Sequence, residues 1–157
     1  MDTLDYAALS RLMWDGRVSW SDLGADLGLA ATSAAERVRK LEREGVITGY
    51  AALVDPVALG ADLTAFVAVT LAGGSARAAF LEAASGLDEV AEIHHVAGDD
   101  DYLLKVRCAG TRGLEDLVSE GLKSLPGVAR TRTTVVLSTV KESVIVPLAL
   151  DSGAVER

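Results

Sequence analysis

The segment from Ser19 to Tyr50, SWSDLGADLGLAATSAAERVRKLEREGVITGY, constrains this chain more than any other. Ser19 or Ser21 can cap a helix whose inner face is Leu23 and Leu27, and Gly28 ends it. A second helix is predicted to start near Thr32 and to stop at Gly45. Ala34, Val38 and Leu41 form its buried stripe, while Thr32, Ser33, Glu36, Arg39, Lys40 and Arg43 lie on the opposite side. Two short helices joined by a turn, the second one basic along one side, are the build of a helix-turn-helix, which lays one helix in the major groove of duplex DNA. A preceding helix is expected from Asp2 or Thr3 to Trp14, where Leu4, Ala8, Leu9 and Leu12 recur at helical spacing and Asp15-Gly16 stops the run. Trp14 and Trp20 flank this bundle and are expected to pack against it.

In a recognition helix the N-terminal part meets base edges. That favours Thr32, Ser33 and Glu36 for readout, with Arg39, Lys40 and Arg43 on phosphates or bases. Glu36 and Arg43, taken singly, fit ordinary solvated positions equally well. Arg37 sits at the edge of the buried stripe, where an ion pair with an acidic neighbour is expected. Overall charge opposes DNA binding: the chain carries −8. Residues 1–50 hold six Arg/Lys against eight Asp/Glu, and residues 51–157 hold nine against fifteen; only residues 31–44, with four basic and three acidic side chains, lean the other way. Affinity for DNA comes mainly from neutralised phosphates, so a single copy should bind weakly and several copies on one site should offset that. A homo-oligomer is expected.

Half of the residues are apolar, which supplies a packed core within 157 residues. No run approaches the length of a membrane span, and the opening Met-Asp-Thr-Leu-Asp has neither a basic nor an apolar leader region, so a soluble cytoplasmic chain without a membrane partner is expected. The single cysteine, Cys108, suits a reducing compartment and falls in an apolar strand pattern. Val46-Ile47 and Tyr50 to Val54 read as an extended segment leading to a turn at Asp55-Pro56 and to Gly60. Beyond it the period changes to two. Leu63, Ala65, Val67, Val69 and Leu71 alternate as a strand, and Ala76 to Ala84 reads as a helix burying Phe80, Leu81 and Ala84. Val90 to Val96 and Tyr102 to Cys108 follow as strands. Thr111 is expected to cap a helix carrying Leu114, Leu117, Val118, Gly121, Leu122 and Leu125, and Val128 to Val140 to form a long last strand. This β-α-β-β-α-β order is that of a ferredoxin-like sandwich, so the fold class is α+β. Two helices cover one face of such a sheet; the other, expected to be bare and apolar, calls for a second subunit. The domains are read as 1–50, a hinge over 51–62, a sensing and assembly domain over 63–142, and a C-terminal extension over 143–157.

These residues resemble the leucine-responsive/asparagine regulators, the Lrp/AsnC or feast/famine family, from Asp2 to Lys141. The resemblance is carried by Asp15-Gly16-Arg17, by Leu-Glu-x-x-Gly-Val-Ile at Leu41 to Ile47, and by Asp55-Pro56 with Gly60. It continues through Val96-x-Gly98-x-x-Asp101-Tyr102-Leu103-Leu104, Leu125-Pro126-Gly127-Val128, Thr131-Arg132-Thr133 and Lys141. It implies a winged-type DNA-binding domain, a hinge, and a domain that binds an amino acid or related molecule between subunits, in dimers that associate further, often to octamers. The chain departs from the family at Ala30, where a Ser usually precedes the recognition helix, and at its opening, Met1-Asp2-x-x-Asp5. Losing an N-cap hydroxyl costs about 1 kcal/mol unless Thr32 or Ser33 replaces it.

Ala97-Gly98-Asp99-Asp100-Asp101-Tyr102 is the candidate effector turn. A Gly in a tight connection lets backbone N–H groups approach a ligand carboxylate, and an Asp can pair with an ammonium. Read locally, the run is also a plain acidic hairpin turn; the resemblance implies that the effector sits there. Thr131, Thr133 and Thr134 are candidate donors from a second subunit. Adjacent strand positions point apart, so His94 and His95 cannot jointly hold a metal, and three consecutive aspartates cannot converge on one ion. One of the two histidines is expected to be buried or near the effector pocket. No metal and no cofactor is expected beyond the effector. No nucleophile–base grouping or phosphate loop is present, so the chain is not expected to be an enzyme. The sirohaem decarboxylases share the resembled architecture, and the two histidines keep that alternative open; a basic recognition helix argues against it. A sensing module that acts without DNA is a third reading.

Overall fold

The computed structural model describes residues 1–148, which form two compact units: Met1–Leu53 together with residues from Lys141 onward, and Val54–Val140. Residues 149–157, most of the expected C-terminal extension, lie outside the described residues.

The first unit is a three-helix bundle. Helix α1 spans Thr3–Trp14, α2 Trp20–Leu27 and α3 Ala31–Arg43. Asp2 caps α1, accepting from the Asp5 N–H while the Asp5 carboxylate accepts from the Asp2 N–H, a reciprocal box that satisfies two otherwise orphaned donors. Ser19 is the cap of α2. Ala8, Leu23, Leu27, Ala34 and Val38 meet in the core, with Leu4, Leu12, Val18, Leu29 and Ile47 against it. The turn from α2 to α3 is tight. A Cβ on Gly24 would stand 2.8 Å from the Leu29 carbonyl oxygen and 3.1 Å from the Ala31 nitrogen, so only glycine lets the two helices come this close. An Arg11–Asp26 ion pair at 2.9 Å ties α1 to α2.

Three expectations are corrected here. Trp14 and Trp20 do not pack inside; they are 76% and 41% exposed. Helix α3 begins at Ala31 with Ala30 in the cap position, and neither Thr32 nor Ser33 supplies a side-chain cap. The segment 46–54 pairs with no strand among the described residues; in a single chain it has no ladder to join.

In the second unit, strands β1 (Leu63–Leu71), β2 (Val90–His95), β3 (Tyr102–Cys108) and β4 (Val128–Val135) form one antiparallel sheet in the order β2-β3-β1-β4. Helix α4 (Arg77–Ser85) follows β1, and α5 (Gly110–Asp116) runs on through a π turn and a 3-10 turn to Ser124. This is the expected α+β sandwich. Its core holds Ala65, Val67, Val69, Phe80, Ala84, Tyr102, Leu104, Val106, Cys108, Leu114, Leu117 and Leu122. Burial in this core pushes the Cys108 thiol pKa up, with Glu89 adding to the effect.

Two differences concern ends. Gly110, not Thr111, starts α5, without a side-chain cap. Strand β4 stops at Val135 rather than Val140 because its partner runs out: Ala65, near the start of β1, already pairs with Val135. The third concerns the sheet face without helices. The register places Phe66, Ala68 and Leu103 at its centre, but Lys105, Arg130, Arg132, Glu92 and His94 surround them. The face is mixed rather than apolar.

Candidate functional site

Arg37 ties helix α3 to α1. Its guanidinium reaches Asp2 at 2.7 Å and Asp5 at 2.5 Å, both at the first turn of α1. Asp5 is 2% exposed, so this is a buried carboxylate held by a cation and by the cap. The Arg37 hydrogen bond chiefly lowers the Asp2 pKa, aided by the Asp5 N–H. For Asp5, burial pushes upward, but the Asp2 N–H and Arg37 outweigh it and the net shift is down. Arg37 is raised in turn by Asp2 and Asp5. The expected structural ion pair is thus present.

With Arg37 turned inward, Thr32, Ser33, Glu36, Arg39, Lys40 and Arg43 are all exposed. Thr32, Ser33, Glu36, Lys40 and Arg43 line a groove of about 580 Å³ with Asp2, Leu29 and Arg37. Arg39 is on the exposed side of the same helix but does not line this groove. Glu36, Arg39 and Arg43 have no ion pair among the described residues, and Lys40 meets only Glu44, loosely, at 3.8 Å. The arrangement offers hydroxyls at the start of the helix, a carboxylate beyond them and cations toward its end. That is the donor and acceptor set needed to meet base edges and phosphates.

The effector turn divides into two sides. Ala97, Gly98 and Asp99 are exposed, and Gly98 has φ +148°, a conformation reserved for glycine. Asp100, 8% exposed, belongs to the sheet face without helices: it accepts from the Thr70 hydroxyl at 2.9 Å, from Arg130 at 3.2 Å and from Arg132 at 2.6 Å. The Thr70 hydroxyl chiefly lowers its pKa, against burial and with help from Arg132 and Arg130. Asp101 turns the other way, accepting from the Leu71 N–H at 2.7 Å while its own N–H donates to the Val69 carbonyl. Asp101 and Tyr102 line a cleft of about 170 Å³ with Leu71, Gly73, Gly74, Arg77 and His95.

Sequence reasoning named Asp101 and Tyr102 and expected one of the two histidines to be buried or near the pocket, and His95 lines this cleft; it did not bring Gly73, Gly74 and Arg77 there, because no local signal ties them to the turn. Thr131, Thr133 and Thr134 do not line the cleft of their own chain; Thr131 and Thr133 share the helix side of β4, and Thr134 faces the other way. His94 and His95 point apart, as the strand period requires. His94 pairs with Glu92 at 2.9 Å, chiefly responsible with Lys105 for lowering the Glu92 pKa, whereas His95 packs on Tyr102 with ring centres 5.3 Å apart. Among the described residues no group of acidic, His or Cys side chains can hold a metal, and no helix is long and apolar enough to cross a membrane.

Residues 1–42 match the AsnC-type helix-turn-helix domain, and residues 64–146 match the Lrp/AsnC ligand binding domain. The leucine-responsive regulatory proteins of Escherichia coli strain K12 and Klebsiella pneumoniae are both 44% identical over 145 residues, 91% of this chain and 88% of theirs. Among solved structures, a Neisseria meningitidis transcriptional regulator in complex with L-Met superposes with a TM-score of 0.91 at 27% identity, covering 95% of this chain and 97% of that one. A feast or famine regulatory protein of M. tuberculosis, complexed with L-methionine, gives 0.84 at 37% identity over 90% and 95%.

Proposed function

This chain belongs to the Lrp/AsnC family of transcription regulators, and from that premise we propose how its residues divide the work of binding DNA and sensing a small molecule. The outer face of α3 enters the major groove: Thr32, Ser33 and Glu36 meet base edges, and Arg39, Lys40 and Arg43 meet phosphates or bases. The observation that carries this is the inward fixing of Arg37, which leaves that face exposed and Arg39 and Arg43 without a carboxylate. The site is read by a dimer, and dimers associate further, to an octamer. Such multiple attachment offsets the weak DNA binding that a net charge of −8 implies, and Phe66, Ala68 and Leu103 offer an apolar centre for a subunit contact.

The effector is an amino acid, bound at the turn from Ala97 to Tyr102, with Asp101 for its ammonium and Thr131, Thr133 and Thr134 of a neighbouring subunit as further donors. Two structural relatives were solved with L-methionine, which supports this class of ligand. No cofactor takes part. Differential affinity of the effector for two assemblies or domain arrangements couples it to DNA binding. A decarboxylase reading has less support: His94 is engaged with Glu92, and the family consists of regulators.

Genomic fragments selected by the protein identify the operator, and gel retardation across a salt series then tests the face. Arg39→Ala with Lys40→Ala should lower the slope of log affinity against log salt by about two. An unchanged slope places these residues away from the DNA. Asp101→Asn keeps an acceptor for the Leu71 N–H and should abolish the effector response while leaving operator binding intact.

A further inference from the structure

The cleft beside the effector turn holds polar groups that the fold itself does not use. Arg77 opens α4 without a carboxylate partner among the described residues, its guanidinium carbon 5.9 Å from the centre of the Tyr102 ring. His95 packs on the same ring at 5.3 Å. The Tyr102 hydroxyl is buried and has no hydrogen-bond partner, the only such side-chain atom among the described residues, in a residue 2% exposed. Folded proteins rarely leave a buried hydroxyl unmet, so one in a residue that lines a cleft asks for an acceptor from outside, reached by a small turn of the ring. A guanidinium and a phenol both donate, and His95 donates too when it carries a proton on the facing nitrogen. Across the same space Asp101 presents a carboxylate only one of whose oxygens is bound, to the Leu71 N–H. Donors and an acceptor thus share one small space of about 170 Å³, room for a handful of waters or a ligand of similar bulk.

We propose that this cleft is the carboxylate seat of the effector: Arg77 holds the carboxylate, the Tyr102 hydroxyl donates a second bond to it, and Asp101 faces the ammonium. His95 closes the rim. This rests on the reading that the effector is an amino acid at this turn, and it moves recognition of the carboxylate from the backbone of Gly98 to the side chain of Arg77. A guanidinium meets a carboxylate through two parallel N–H bonds and meets a neutral amide poorly, so the seat distinguishes acids from their amides.

The full-length protein is screened by thermal shift against the twenty L-amino acids, and the strongest responder is titrated by calorimetry beside its own α-carboxamide. In the wild type the acid should bind at least about 30-fold more tightly than the amide. Arg77→Gln should weaken the acid about 10- to 100-fold, leave the amide unchanged and so erase the preference; Arg77→Lys should recover part of it. Tyr102→Phe should weaken the acid several-fold while the unliganded protein melts at the same temperature or higher, because the variant strands no hydroxyl. A purely structural tyrosine would show the reverse. If Arg77→Gln keeps the wild-type ratio of acid to amide, the seat is elsewhere and only this inference fails. If no amino acid raises the wild-type melting temperature, the effector reading falls and this one with it.

Discussion

Each unit of the molecule buries one carboxylate among its described residues, and each uses it to hold arginines, with opposite results for the surface. In the helical unit, Asp5 with Asp2 draws in the arginine at the inner edge of α3 and leaves its outer neighbours, Arg39 and Arg43, without a carboxylate. In the sheet unit, Asp100 pairs with both Arg130 and Arg132 of the edge strand, while Arg77, a whole element away, has no carboxylate partner among the described residues. A basic residue here is assigned by what already holds it. Counting charges would rank Arg37 with Arg39 and Arg132 with Arg77, and the geometry separates both pairs.

Breaking the helical pair is the most damaging test of this contrast. Arg37→Ala strands Asp5 with only its cap bonds and should cost about 2–3 kcal/mol in urea unfolding. The salt slope of operator binding should stay at its wild-type value, the converse of the Arg39 and Lys40 substitutions. A lowered slope would show that Arg37 reaches phosphate after all. Gly24→Ala comes next, at about 2 kcal/mol, because its Cβ meets backbone atoms that cannot rotate away. Gly73→Ala in the sheet unit is the matched comparison: its Cβ meets nothing within 4 Å and its φ of 171° is ordinary extended backbone, so stability should hardly move.

Acid sharpens the same contrast. Asp2, Asp5 and Asp100 all have pKa values held below the ordinary 3.8 in the fold. Their contribution is fully present above that value and is lost as pH falls through the lower folded values, since the unfolded chain takes up protons first. Both tryptophans, Trp14 and Trp20, lie in the helical unit, so their fluorescence follows that unit alone. The urea midpoint read from them should fall between pH 5 and pH 2, and Arg37→Ala should flatten the fall by removing the main cause of the Asp2 shift. An equal fall in variant and wild type would show that the pair does not set the acid sensitivity.

Much of this was legible in the sequence, for reasons that particular residues make plain. Periodicity placed Ala34 and Val38 inside and the six polar residues of α3 outside, because a helix in water sorts its faces by burial alone. The alternation of Leu63 to Leu71 gave β1 to the residue. The sequence was misleading where the outcome depends on a partner distant along the chain. The end of β4 depends on where β1 begins, and the exposure of Trp14 on which core the bundle has room to build. Asp100 looked like its neighbours Asp99 and Asp101, and only the register of β1 with β4 brings Thr70, Arg130 and Arg132 to it. Arg77 was missed for the same reason: no spacing rule links the first turn of α4 to a tyrosine on β3.

Among the side-chain contacts, the smallest effect expected is at Tyr50, whose hydroxyl donates to Glu42 at 2.9 Å across the end of α3. Burial, with Glu42 adding to it, pushes its pKa up to about 12 from the ordinary 10. The protonated phenol is favoured by folding, so this contribution is present below pH 10 and is lost as pH rises through about 12. At neutral pH both partners are largely exposed, and Tyr50→Phe should cost no more than about 0.5 kcal/mol. Alkaline difference absorbance reads it directly: Glu42→Gln should lower the Tyr50 titration only part of the way toward 10, because burial, the larger cause, stays. A loss above about 1 kcal/mol on removing the hydroxyl would mean that this exposed bond does what the buried Arg37 pair does, and that burial is not what divides the structural contacts of α3 from its free face.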